Sequence, residues 1–207
     1  MDEGRPEGGP RRRQSVGRRP VAHLFDPSNA LRLERDERRE LLQPLHTLAR
    51  FGVARGMTVV DVGAGTGFFT RAASELVGPE GRVHAVDVSE TMLGHLRNLG
   101  VPPNVSLATA EPLRVPLAAH TADVVLAAFV VHEAPDRRVF LDELVRLLKP
   151  GGRVLVFDWK RQEEEHGPPM AERLDEADLD RMLDGRWILG SGDLNSSHYY
   201  RIFQPRS

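Results

Sequence analysis

At 207 residues, the chain has the length of one domain with room for a core, and its complete lack of cysteine excludes disulfides, cysteine-ligated zinc and thiol catalysis. The formal charge is -2, yet residues 1 to 20 hold six arginines against three acidic residues, so the remainder is acidic, which argues against a nucleic-acid groove as the main site. No stretch approaches the roughly 18 consecutive apolar residues of a membrane helix, and Arg18-Arg19 leads into charged sequence rather than an apolar signal core, so the expected location is cytoplasmic.

Residues 1 to 22 are rich in Gly, Pro and Arg, lack an apolar period, and read as a disordered tail before a single domain over 23 to 204. Arg11 to Arg19 serve either as a tether or as a solvated tail. Leu41, Leu42, Leu45, Leu48, Ala49 and Phe51 share one face of a helix predicted over 34–51, which Pro44 kinks or divides in two.

Next comes the one place where an apolar strand, a glycine turn and a helix start follow without a gap. Thr58 to Val62 is β-branched enough for a buried parallel strand, and Phe68 to Val77 has helical spacing, so the helix N-terminus points into Gly63, Gly65 and Gly67. A side chain at any of these glycines is expected to push a ligand away. The spacing is G-x-G-x-G rather than the G-x-G-x-x-G of dinucleotide sites, and Asp61 stands two positions ahead of it. A buried carboxylate there repels phosphate and suits an ammonium group, so the ligand suggested carries an adenosine and an amino acid.

Asp61-Val-Gly-Ala-Gly-Thr-Gly67 resembles the first motif of the class I S-adenosylmethionine-dependent methyltransferases, of the small type that includes the quinone-biosynthesis enzymes (the type 11 methyltransferase domain). The resemblance implies that N-terminal helices, here about 31–52, form a lid over the cofactor. Further along, Arg82 to Asp87 reads as a second strand whose terminal carboxylate accepts both hydroxyls of a ribose. Ser89 caps the helix of Met92, Leu93, Leu96 and Leu99. A short third strand over 104–108 leads to Thr109 and Ala110, which by resemblance meet the adenine edge; Thr109 stands where the family commonly has aspartate, exchanging a charge-assisted bond for a hydroxyl's.

Asp123 to Val131 is a continuous apolar run, as in a central strand covered on both faces, and His132 ends it at the carboxyl edge. There His132 either takes a proton from an acceptor or packs beside the cofactor. Asp136 caps a helix, and Leu148-Lys-Pro-Gly-Gly152 is a helix stop before a fifth strand over 153–158, a second point of resemblance. Asp158 either orients a substrate amine or pairs with Lys160. A charged loop over 161–169, a short helix over 175–183 and two strands, 186–189 and 198–203, around Gly190 to Asp193 complete the chain.

Five strand–helix repeats predict an α/β, doubly wound sheet, and the resemblance implies seven mostly parallel strands with the last antiparallel. The expected function is methyl transfer from S-adenosylmethionine to a small-molecule acceptor. Asp61, Gly63, Gly65 and Gly67 hold the methionine part, Asp87 the ribose, Thr109 and Ala110 the adenine, with the backbone at Phe129 near the amino group. His132 and Asp158 face the acceptor, and no metal is called for. The alternatives are an NAD-dependent oxidoreductase and a cofactor-binding regulatory protein without catalysis.

Overall fold

Val, Leu and Ala dominate the runs that become the inner parallel strands of one sheet, since a strand covered on both faces has no polar side to offer. The computed structural model describes residues 25–206, so the predicted tail over 1–22 lies outside the described residues. The strands are β1 (Thr58–Val62), β2 (Arg82–Asp87), β3 (Val105–Thr109), β4 (Ala122–Ala128), β5 (Leu148–Trp159), β6 (Arg186–Asp193) and β7 (His198–Pro205). Their order is β3-β2-β1-β4-β5-β7-β6. The first five are parallel, and β7 runs antiparallel between β5 and β6. The strand order reverses between β1 and β4, which opens a crevice at their carboxyl ends.

Helices α1 (Asp36–Leu42), α2 (Pro44–Arg50), α3 (Phe68–Val77), α4 (Glu90–Leu99), α5 (Arg137–Arg146) and α6 (Glu176–Met182) surround the sheet. One core joins Val60, Val125, Val154 and Phe203 to Leu141 and Leu144 of α5 and Leu179 of α6. The other joins Val59, Leu126, Leu155 and Phe157 to Leu48 of α2 and to Phe69 and Ala73 of α3. Alternation along each strand sends successive side chains to these two cores.

The predicted N-terminal helix is indeed divided: a 3-10 segment, Pro27–Glu34, precedes α1, and Gln43 (φ +40°) breaks α1 from α2 just ahead of Pro44. Other expectations are corrected. β4 stops at Ala128, because Phe129 turns left-handed (φ +63°) and Val131–Glu133 forms a 3-10 turn. β5 starts at Leu148 and so absorbs the predicted turn, with a register shift opposite Ala122 to Val124. The connection from β3 to β4 carries no helix, only a bridge between Glu111 and Arg114, and Pro112 and Pro116 deprive it of helical donors. β6 runs on through Gly190 to Asp193, and the hairpin turn falls at 194–197, where the Asn195 side chain accepts from the N–H groups of Ser197 and His198.

Two glycines test this packing. A Cβ on Gly81 meets the Met57 carbonyl at 2.7 Å and Val77 at 2.4 Å, whereas Gly94, inside α4, has nothing within 4 Å. Gly81→Ala is expected to lower the urea midpoint, and Gly94→Ala to raise stability by about 0.5–1 kcal/mol through helix propensity.

Candidate functional site

The turn after β1 is tied to β2 by the N–H groups of Gly63 and Ala64, which donate to Val86 O at 2.8 and 3.0 Å. Gly63, Gly65 and Gly67 have φ of +77°, +57° and +83°, which a side chain strains. The expectation that each glycine makes room for a ligand is corrected at two of them. A Cβ on Gly63 strikes Val130 at 2.7 Å and one on Gly67 strikes Leu96 at 2.4 Å, so these two serve packing; Gly65 faces Met92 and Leu33 at 3.4 and 3.7 Å.

Around this turn the structure gathers the predicted cofactor residues. Asp61 is buried at the end of β1 and accepts from the Thr70 hydroxyl at 2.6 Å. Its pKa is raised to about 6, chiefly by burial, with the Thr70 hydrogen bond opposing the rise and the nearby Asp87 charge contributing to it. Asp87, at the end of β2, accepts from Gly65 N–H and Ser89 N–H, each at 2.8 Å. Burial raises its pKa, and those backbone donors pull it back. Thr109 is the register partner of Asp87 and donates to Glu90 at 2.6 Å, while Ala110 N–H donates to Asp87 O at 2.9 Å. Phe129 N–H donates to Phe157 O at 2.7 Å, and its ring packs with Phe69, Trp159 and His198.

Asp158 is buried at the end of β5, and the expected pairing with Lys160 is corrected. It accepts from His132 Nδ1 at 2.7 Å and from Trp159 N–H at 2.8 Å. Lys160 lies past the strand end and reaches Asp193 instead, at 2.8 Å. The 3-10 turn after β4 is what lays His132 over β5. A carboxylate on Nδ1 fixes the neutral ring with its proton there, leaving Nε2 as the basic nitrogen. Burial opposes the charged ring, but the charge and hydrogen bond of Asp158 outweigh it and raise the His132 pKa. Glu133 Oε1 is 3.8 Å from Nε2, and burial lifts the Glu133 pKa to about 7.

Several residues here escape sequence reasoning. Glu34 accepts from the Thr66 hydroxyl and from Arg71, both at 2.5 Å, fastening the N-terminal segment to the glycine turn. Phe25 N–H reaches Glu133 Oε2 at 3.4 Å. Arg38 lies 4.2 Å above the Phe68 ring and 5.6 Å from that of Phe129, donates to Leu33 O at 3.0 Å, and makes no ion pair among the described residues. Burial lowers its pKa to about 10. His198 Nδ1 is 2.9 Å from Asn195 Oδ1, its ring stands 4.3 Å from that of Trp159, and burial then the Arg38 charge bring its pKa down to about 4. Arg173 donates to the carbonyls of Lys160, Gln162, His166 and Pro168 and lies over Trp159, which shapes the loop over 161–169. None of these pairings has a periodic signature.

A profile for the methyltransferase domain matches residues 60–156. The ubiquinone/menaquinone biosynthesis C-methyltransferase UbiE of Klebsiella pneumoniae is 39% identical over 114 residues, 53% of this chain and 45% of that protein, so this chain spans about half the length of the curated relatives it matches. The crystal structure of a SAM-dependent methyltransferase from Aquifex aeolicus is 34% identical, covers 87% of this chain and 98% of its own, and superposes with a TM-score of 0.82. The [4+2]-cyclase SpnF, 18% identical over 80% of this chain and 81% of its own with a TM-score of 0.67, shares the fold.

Removing the Glu34 fastening has a local signature. Glu34→Ala is expected to speed amide exchange over residues 27–38 at least about tenfold while β1 and β4 stay protected, because only the segment opens. Unchanged exchange there means that other contacts hold it.

Proposed function

The chain belongs to the S-adenosylmethionine-dependent methyltransferases, and on that premise we propose that it transfers the cofactor's methyl group to a small-molecule acceptor presented beside His132. The carrying observation is the sequence of charges along the carboxyl edge, from Asp87 through the glycine turn to Asp61 and Arg38. Asp87 suits ribose hydroxyls, which donate to a carboxylate. Asp61 offers negative potential to an ammonium group, and Arg38 offers a desolvated cation to the carboxylate of the same amino acid. Thr109 and Ala110 flank the adenine side. A pyrophosphate fits this row poorly, since Asp61 and Asp87 both repel it.

The bound cofactor supplies an electrophilic methyl group on sulfur, and the protein's part is to orient, desolvate and move a proton. The N-terminal segment acts as a lid. Its covering contacts come from Phe25, Leu33, Glu34 and Arg38, ahead of most of the expected 31–52, while α2 packs on the α3 side. Phe129 and Trp159 give flat apolar walls on the acceptor side. UbiE is named a C-methyltransferase, and such walls suit a ring, so hydroxylated aromatic rings are the first acceptors to assay. A ring hydroxyl would give its proton to His132 Nε2, and Asp158 would stabilise the resulting imidazolium; the electron-rich ring carbon would then take the methyl group as the sulfur departs as a neutral thioether, and the hydrogen displaced from that carbon would return to the ring oxygen.

Calorimetric titration tests the cofactor row. Wild-type protein is expected to bind S-adenosylmethionine near micromolar, about -8 kcal/mol, and Asp87→Ala to lose at least about tenfold. Arg38→Ala is expected to lose affinity for S-adenosylmethionine but not for its decarboxylated analogue. Equal loss for both ligands removes Arg38 from the carboxylate.

The acceptor side has a pH signature. The neutral form of His132 is the base, and its pKa is raised, so turnover is expected to rise with pH through an apparent pKa above the ordinary 6.5. Asp158→Asn and Glu133→Gln each remove a charge that favours the cation, so each moves that limb to lower pH. His132→Ala is expected to cost about 10²–10⁴ in kcat with cofactor affinity kept. Full turnover by that variant leaves positioning as the source of rate.

A further inference from the structure

β6 ends the sheet, and no described strand pairs with its outer edge. That edge is eight residues long and carries three consecutive large apolar side chains, Trp187, Ile188 and Leu189, exposed by 50%, 44% and 51%. Edge strands of this kind invite pairing unless charges or prolines interrupt them. Here the charges stand only at the two ends, Arg186 and Asp193.

We propose that β6 pairs antiparallel with β6 of a second copy of this chain, about a two-fold axis at Gly190, to make one sheet across a dimer. Directly opposed residues of an antiparallel pair lie on the same face, and a two-fold axis through such a pair stands perpendicular to the sheet. A regular strand would put Arg186 and Asp193, seven residues apart, on opposite faces. The register against β7 skips Leu189, with Ile188 opposite Phe203 and Gly190 opposite Ile202. That bulge restores the symmetry. Arg186, Ile188, Ser191 and Asp193 face one side, and Trp187, Gly190 and Gly192 the other.

Counting paired positions outward from Gly190, Ile188 then meets Ser191 of the second copy, Trp187 meets Gly192 and Arg186 meets Asp193. Trp187 and Ile188 each meet a small residue, Leu189 stays outside the pairing at the bulge, and each end charge meets its opposite. A Cβ on Gly192 would stand 3.4 Å from the Tyr200 ring, so the missing side chain leaves that ring open to the incoming Trp187. Arg186 already pairs with Asp142, and Asp193 with Lys160, so the end charges fix register more than they add affinity. This complementarity within one strand is what selects a second copy over an unrelated partner.

The cysteine-free chain gives a direct test. A Cβ at Gly190 meets nothing closer than 3.5 Å, so Gly190→Cys is accommodated, and across the axis the two substituted positions fall within the roughly 7 Å Cα separation a disulfide needs. In Ile188→Cys and Ser191→Cys, each one paired position from the axis, the two substituted residues are offset from one another by two paired positions, about 8 Å between Cα atoms and beyond that reach. Under mild oxidation Gly190→Cys is expected to form covalent dimer at least about tenfold faster than either control; equal rates overturn the proposal. Sedimentation of the full chain is expected to show a dimer whose dissociation constant rises at least about tenfold in Trp187→Lys. A chain that stays monomeric to about 0.1 mM, or a Trp187→Lys variant that dimerises as wild type does, also overturns it.

Discussion

Two backbone N–H groups on one carboxylate hold the carboxyl edge of the sheet together. Asp87 takes Gly65 N–H with one oxygen and Ser89 N–H with the other, so the end of β2, the glycine turn after β1 and the start of α4 share a single anchor. Hydrogen bonds to an ionised group are the stronger kind, and these are half-buried, which limits competition from water. Gly65 must adopt a left-handed conformation for its N–H to take part, and the adjoining glycines allow the turn to pack against Val130 and Leu96. The positions of Thr109 and Ala110 follow, since β3 is registered on β2 at Asp87.

Four carboxylates crowd the same end of the sheet: Asp61, Asp87, Glu133 and Asp158. Like charges in a poorly solvated space disfavour one another, and Asp61, Asp87 and Glu133 all have raised pKa values with burial as the leading cause. Such an edge attracts cations. His132 answers Asp158, and Arg38 brings positive charge from the N-terminal segment without spending it on an internal ion pair among the described residues. The arrangement is costly as pure architecture, and that cost is the physical reason to read it as a binding edge for a ligand bearing both charges.

The two faces of the strand ends do different work. Asp158 turns toward the α5 side with His132, while Phe157 and Trp159 turn the other way, where Trp159 meets Phe129 and His198. The alternation of a single strand thus sends the His132–Asp158 pair and the aromatic cluster to different sides of the strand end. At the far side of the sheet a one-residue bulge gives β6 its internal symmetry, a reminder that the small irregularities of strands carry geometric content.

What lay in the sequence was whatever depends on neighbours in the chain. The β-branched runs dictated β1, β2 and β4, the glycine spacing dictated the turn and the ligand class, and Ser89 and Asp136 are the helix caps their positions implied. These features rest on backbone propensity and on hydrogen bonds that span two or three residues. The tertiary structure decided what depends on residues far apart: that Asp158 meets His132 and not Lys160, that Glu34 grips Thr66, that Arg38 comes to rest over Phe68 and Phe129, and that β4 ends one residue before Phe129. Those pairings follow from the order and twist of the strands and from the packing of the N-terminal segment across their ends. No local period in a chain records which distant side chain will arrive.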